Sequence, residues 1–221
     1  MTVIGHIETD FDTKFGIPRQ SGLCDELKGR IILTPDFRRE EAFRGLDDFS
    51  HIWVLWQFSE TQREEWSPTV RPPRLGGNKR IGVFATRSPF RPNNIGLSCV
   101  KLEKIDYSSP EAPVLHISGI DMMNGTPVFD IKPYVPVADC RPDATDGFTS
   151  ETKDYSLRVV FPDELLSIIP EEKRDGAVQM LSLDPRPSYI NDDNRIFGVE
   201  FAGYDIRFRV KDNTLTVVNV I

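Results

Sequence analysis

The sequence predicts a mainly β protein: a single barrel or curled mixed sheet over residues 1–137, then a small α+β region at 155–221. Three observations carry this. The apolar runs are short and separated by turn residues. No run is followed by a 12-residue helical pattern in the first 137 residues, so βαβ units are absent there. Seventeen prolines and fifteen glycines in 221 residues favour many turns and short elements.

Taken in order, Val3–Glu8 reads as a first strand, and Asp10–Gly22 as a polar, turn-rich stretch. Arg30–Leu33 is a second apolar run. Thr34 or Asp36 could cap a short helix reaching Phe43 or Arg44, with Gly45 as its stop. His51–Phe58 is continuous and aromatic, the pattern of a central strand buried on both faces. Residues 60–80 form an irregular excursion, and Ile81–Ala85 a short strand. Pro89 and Pro92 forbid regular structure in the loop that follows. Strands resume at Gly96–Ile105 and Val114–Ile120; Asn124-Gly125 marks a turn, and Val128–Tyr134 reads as the partner of Val114–Ile120. Residues 138–154 are rich in Asp, Thr, Ser and Gly, as in a linker. Beyond them lie a strand at Leu157–Phe161, a short helical piece at Pro162–Ile168 and a helix opened by Pro170-Glu171-Glu172. Two or three antiparallel strands follow within Arg195–Val220. This region is small for an independent core and is expected to pack on the first.

Composition narrows the function classes. No stretch approaches 18 apolar residues, so no membrane-spanning helix is expected. Met1–Asp10 lacks a basic n-region and does not read as a signal peptide. Three scattered cysteines (24, 99 and 140) fit a reducing compartment, hence a cytoplasmic protein. His6, His51 and His116 are isolated and no CxxC occurs, so no metal site is expected. Absent too are a dinucleotide GxGxxG, a P-loop and a GxSxG elbow.

Net charge is −7, yet Ser67–Lys101 holds seven cations (Arg71, Arg74, Lys79, Arg80, Arg87, Arg91, Lys101) and no acid. Pro89 and Pro92 stiffen the loop that launches Arg87 and Arg91, and glycines at 76, 77, 82 and 96 permit close backbone approach. Guanidinium groups on a rigid loop suit the recognition of carboxylates or phosphates. A merely solvated basic corner is the plain alternative, but a long, rigid, charged loop serves packing poorly. Pro18-Arg19-Gln20 repeats the theme more weakly. Asp121–Gly125 is either an ordinary hairpin turn or a set of main-chain groups that reads an adenine or ribose edge. Asp184-Pro185-Arg186-Pro187-Ser188-Tyr189 offers a carboxylate, a guanidinium and a phenol on a stiff hexapeptide; Tyr189 could stack on a base.

Together, Arg71–Leu97, Pro18-Arg19-Gln20, LDDFSHIW at 46–53, DMMNGTPVFDIKPY at 121–134 and DPRPSY at 184–189 resemble the TrmO family of tRNA methyltransferases, also known as YaeB or TsaA-like proteins. The resemblance spans nearly the whole chain. It implies a TsaA-like β-barrel catalytic domain, a linker and a small C-terminal α+β domain. It also implies S-adenosylmethionine as cofactor, a homodimer with the cofactor site near the subunit junction, and tRNA as substrate. The implied reaction methylates N6 of N6-threonylcarbamoyladenosine (t6A) at position 37. Carried over by motif, Pro18, Arg19, Gln20, Arg87, Leu97, Asp121, Met122, Met123 and Asn124 are cofactor residues. Arg87, Arg91, Asp184, Arg186 and Tyr189 are expected at the reacting centre, one arginine reading the threonyl carboxylate. Two positions depart from the family pattern: Asn94 where Pro is usual, and Asn124 where Asp is usual. Rival readings are a non-catalytic RNA or tRNA binder, the same fold acting on another nucleotide or small anion, and a purely structural protein.

Overall fold

Period-two alternation organises the first half of the chain. The computed structural model describes residues 1–61, 66–72, 79–151, 155–187 and 192–221. Its first eight strands are β1 (Gly5–Thr9), β2 (Lys28–Leu33), β3 (His51–Gln57), β4 (Thr69–Val70), β5 (Ile81–Gly82), β6 (Ile95–Asp106), β7 (Val114–Ser118) and β8 (Pro127–Pro133). Six of them close into an antiparallel barrel, ordered β1-β2-β7-β6-β3-β8, while β4 and β5 pair separately. Ile7, Ile31, Ile52, Val54, Val100, Leu115, Ile117 and Val128 fill its interior.

Four expectations about this half are corrected. β3 is buried on one face only: Ile52, Val54 and Trp56 point inward while Trp53 and Leu55 are half-buried outside, because a closed barrel has one core side. β8 does not pair with β7; it pairs with β1 and β3, and β7 lies between β2 and β6. The segment between them crosses the barrel end instead of folding back. Asn124 N–H reaches Phe11 O, and Gly125 N–H (φ 75°) reaches Ile7 O, each at 2.8 Å. Finally, the expected helix after β2 is two 3-10 turns, Pro35–Phe37 and Glu40–Phe43, interrupted by an extended Arg39. The Arg38 guanidinium ties this stretch to Leu33 O at 2.8 Å, which holds the chain to the strand end. The expected strand at Ile81–Ala85 likewise ends at Gly82 and gives way to a 3-10 turn.

The second half carries α1 (Pro136–Asp139), β9 (Arg158–Val160), α2 (Asp163–Leu166), α3 (Glu171–Ser182), β10 (Phe197–Phe201), β11 (Tyr204–Lys211) and β12 (Thr214–Val220). Pro170 precedes α3, and Glu171 and Glu172 complement the helix dipole in its first turn. Strands β10-β11-β12-β9 form one sheet, with β9 parallel to β12. Asp212 and Asn213, at φ 46° and 59°, make the two-residue turn that joins β11 to β12.

The two halves share one continuous core. The loop between β1 and β2 runs between them. Phe11, fully buried, packs on Phe201 with ring centroids 5.3 Å apart. Ala202 N–H donates to Asp10 O at 3.0 Å, and Lys173 of α3 pairs with the Asp10 carboxylate. Gly16 sits at φ 87°, where an added Cβ would lie 2.6 Å from Val199 Cγ2. The C-terminal region therefore braces this loop. Among the described residues, no helix is long and apolar enough to cross a membrane.

Gly16→Ala combines a left-handed backbone with a clash against β10, and is expected to cost about 1–3 kcal/mol. Thermal unfolding should show a Tm lower by several degrees; an unchanged Tm would mean that the loop does not depend on this contact.

Candidate functional site

The site begins at an unfinished sheet edge. β7 pairs with β6 only from Lys101 onward. Phe58 N–H bonds Asn94 O and Leu102 N–H bonds Ser50 O, which sets the ladder parity. Even-numbered residues of β6 therefore bond β3, while Leu97 and Cys99 turn their main-chain groups to the other side. Cys99 N–H is taken by Ser21 Oγ at 3.1 Å. Leu97, half exposed at 50%, has no hydrogen-bond partner on that edge among the described residues. The loop carrying Pro18-Arg19-Gln20 thus lies where a strand would otherwise run. Pro18 is buried, Arg19 exposed and Gln20 intermediate.

Beneath this loop is a polar chain that the sequence reading missed. Trp56 Nε1–H donates to Ser98 Oγ at 2.8 Å, and Ser98 O–H donates to Asp121 Oδ1 at 2.5 Å. Gly96 makes this possible: a Cβ there would lie 2.2 Å from the Trp56 ring, so only glycine lets the indole cross the strand. Burial raises the Asp121 carboxyl to about 6, against hydrogen bonds from Ser98 and main-chain N–H groups and the attraction of Arg87. The signal available in the sequence was Ser98 itself, a polar residue at an inward position between Gly96 and Val100.

The proline-braced loop closes the site from outside. Arg87 donates to Gln20 Oε1 and so joins the central loop to the Pro18–Gln20 loop. Arg91 behaves differently. Its Nη1 donates to Thr86 O at 2.9 Å and Ser88 O at 3.3 Å, and its Cζ lies 6.0 Å from the Phe84 ring centroid. It braces its own loop.

Asp121, Met122, Met123 and Asn124 are placed beside β1, but most of their main-chain groups are engaged. Met122 is buried and its carbonyl accepts from Thr9 Oγ1; Met123 O accepts from Thr126 N–H. Asn124 Oδ1 accepts from Thr9 N–H at 3.3 Å and its Nδ2 donates to Asp12 at 2.9 Å. An Asp at 124 could not donate to Asp12, so residue 124 contributes shape here, and Asn is matched to its neighbour. Asn94 supplies the carbonyl that extends the β3–β6 ladder.

Asp184 and Arg186 are brought to each other, not to Arg87. Their fork is bidentate at 2.8 and 2.9 Å, with Tyr155 O–H on Asp184 at 2.7 Å. Asp184 lies at φ 58°. Burial works to raise its carboxyl and is outweighed by Arg186 and Tyr155, which hold it below the usual range; that makes it a poorer proton acceptor. Among the described residues, no hydrogen bond or ion pair joins this pair to Arg87 or Arg91 within the protomer. Tyr189, Arg74, Gly76 and Gly77 lie outside the described residues.

A groove of about 940 Å³ opens beside the site, from Gly22 and Cys99 across Lys28, Lys101 and His116 to Lys173. Its residues come from segments far apart in sequence, which is why no linear motif announces it.

A family model described as the tRNA-methyltransferase O N-terminal domain matches residues 6–140, and the TrmO C-terminal domain matches residues 154–221. The chain belongs to the TrmO family. An Escherichia coli relative named tRNA (adenine(37)-N6)-methyltransferase is 39% identical over 217 residues, covering 95% of this chain and 92% of that one. A Pseudomonas aeruginosa relative with S-adenosylmethionine-dependent methyltransferase in its name is 39% identical over 213 residues, covering 93% and 90%. The crystal structure of TrmO from Pseudomonas aeruginosa matches at a TM-score of 0.80 with 32% identity, covering 100% of this chain and 96% of that chain. The closed barrel and its small C-terminal sheet are therefore a TrmO architecture.

Because the folded Asp121 carboxyl titrates near 6 and its ordinary value is 3.8, the folded protein holds the extra proton between about pH 4 and 6. Stability must fall as pH rises through that window. Asp121→Asn removes this component, so its stability relative to wild type should improve by up to roughly 3 kcal/mol from pH 4 to pH 7. Urea unfolding at the two pH values measures the difference; a constant difference would contradict the assigned titration.

Proposed function

We propose that this TrmO protein methylates N6 of t6A at position 37 of tRNA with S-adenosylmethionine as donor, acting as a cytoplasmic homodimer. The observation that carries the reading is the unfinished β6 edge at Leu97, flanked by the Arg87–Gln20 contact and the desolvated Asp121. Each part has a chemical counterpart in the donor. The main-chain donor and acceptor of Leu97 suit an adenine edge. The Arg87 guanidinium and Gln20 amide suit a carboxylate, and Asp121 provides negative charge for a cationic centre. When bound, S-adenosylmethionine supplies an electrophilic methyl group on a positively charged sulfur.

The chain's own residues then divide the work. Pro18 stiffens the loop, and Ser21 fixes it to Cys99. Trp56 and Ser98 hold the Asp121 carboxylate in one orientation. Positioning of this kind can contribute several kcal/mol to a bimolecular transfer. Arg91 keeps N–H groups beyond its two loop bonds, and these are assigned to the threonyl carboxylate of t6A. A site that pairs a carboxylate discriminates strongly against plain adenosine, because the arginine is then left unpaired. Asp184 and Arg186, which pair with each other and, among the described residues, with neither Arg87 nor Arg91, are assigned to the same pocket across the subunit junction.

Mass spectrometry of tRNA nucleosides from cells with and without the gene tests the reading: methylated t6A should vanish and return. Arg87→Ala should weaken donor binding by about 10-fold or more, with Lys unable to restore the fork. Arg91→Ala should leave donor affinity intact and lower kcat/KM on t6A-containing tRNA; full activity would remove its assigned role. Donor affinity should also fall as pH drops below about 6, where Asp121 loses its charge. The dependence should be absent in Asp121→Asn.

A further inference from the structure

Two large aromatic rings stand in solvent on the basic face. Phe84 is 72% exposed and Trp66 50% exposed, and they stack with centroids 6.0 Å apart and planes inclined by 30°. Neither ring serves the core. Each is nonetheless held from behind. Val83, 1% exposed, anchors the 3-10 turn that carries Phe84, and Val83 N–H bonds Pro68 O at 3.0 Å. The β4–β5 ribbon fixes the two segments together, and Arg80 Nη1 donates to Thr69 Oγ1 at 2.9 Å across it. Arg91, braced on Thr86 and Ser88, lies against the Phe84 ring.

We propose that Phe84 and Trp66, with Arg91, form a stacking platform for a nucleobase of the tRNA anticodon loop that neighbours the methylated adenosine. The inference rests on the tRNA reading given above. Its own support is the charge around the rings. The span Ser67–Lys101 contains no acid, and Arg71, Lys79, Arg80 and Arg87 in it are exposed. A surface that joins aromatic faces to cations fits a single strand, which offers bases to stack and phosphates to neutralise. A second copy of this chain fits poorly: a two-fold contact would set the same cations against each other, and the centre of a protein interface is depleted in charge. Phe84 is also three residues from Arg87, so the platform lies within about 11 Å of chain from the candidate site. A base next to position 37 is within that reach.

The test uses the full-length protein and an anticodon stem–loop RNA that carries t6A at position 37, with 2-aminopurine on either side of it. Wild type should bind it with a fluorescence change at one labelled position. Phe84→Leu keeps apolar area but no π-face, and should weaken binding about 5- to 100-fold and abolish that change. Phe84→Tyr should retain both, and Trp66→Ala should weaken binding in the same direction as Phe84→Leu. Circular dichroism and donor affinity, unchanged in each variant, report that fold and cofactor site are intact. Wild-type RNA affinity and signal in Phe84→Leu would overturn the platform. So would a shift from dimer to monomer mass in light scattering, which would make the patch a subunit contact. Wild type that binds the RNA with the expected signal but transfers no methyl group would overturn the assigned reaction and still support the platform. Wild type that binds no RNA would overturn both.

Discussion

The site depends on one unequal pairing. β6 has twelve residues and β7 five, so β7 leaves the first half of β6 without a strand on that side. Main-chain N–H and C=O groups there must find other partners or remain available. One is taken by a serine of the β1–β2 loop, and among the described residues Leu97 keeps its own. A barrel ordinarily removes sheet edges. Here closure is achieved elsewhere in the ring, and a short stretch of open edge is retained beneath two stiff loops.

That arrangement is held from two sides. From within, Trp56 and Ser98 reach Asp121 through the barrel interior, in a path opened by the missing side chain of Gly96. From outside, the C-terminal sheet and α3 close on the β1–β2 loop through Phe11, Gly16 and Asp10. The small C-terminal region thus acts on the site through the loop that it packs. The Asp184–Arg186 fork holds these two side chains against each other at the start of the proline-rich segment.

Charge is arranged with the same economy of position. The protein is acidic overall, yet the span Ser67–Lys101 carries seven of its 27 Lys and Arg residues and no acid to offset them. Three arginines of that span have separate tasks. Arg80 ties the ribbon, Arg87 links the two loops, and Arg91 braces the loop and lies against an exposed ring. A repulsive net charge limits non-specific association with polyanions, while a local basic patch still attracts one.

The sequence by itself determined the strand-rich class, most of the elements, the basic proline-braced loop and the family motifs. Those properties are local: a two-residue period, a proline's fixed φ, or a run without acids can be read within a few neighbours. Where a reading needed distant partners, it failed or was silent. The pairing of β8 with β1 and β3 and the one-sided burial of His51–Gln57 follow from closing the ring, while the 3-10 turns at 35–43 go with the tie of Arg38 back to the end of β2. Asp121 read as a turn residue and, through the family resemblance, as a cofactor contact; only folding placed it against Ser98 and away from water. The tertiary structure alone decided the open edge at Leu97 and the pairing of Asp184 with Arg186. The open edge depends on which strands run out of partners, and that is settled by strand order and register across the whole barrel; the fork depends on how the chain turns after α3.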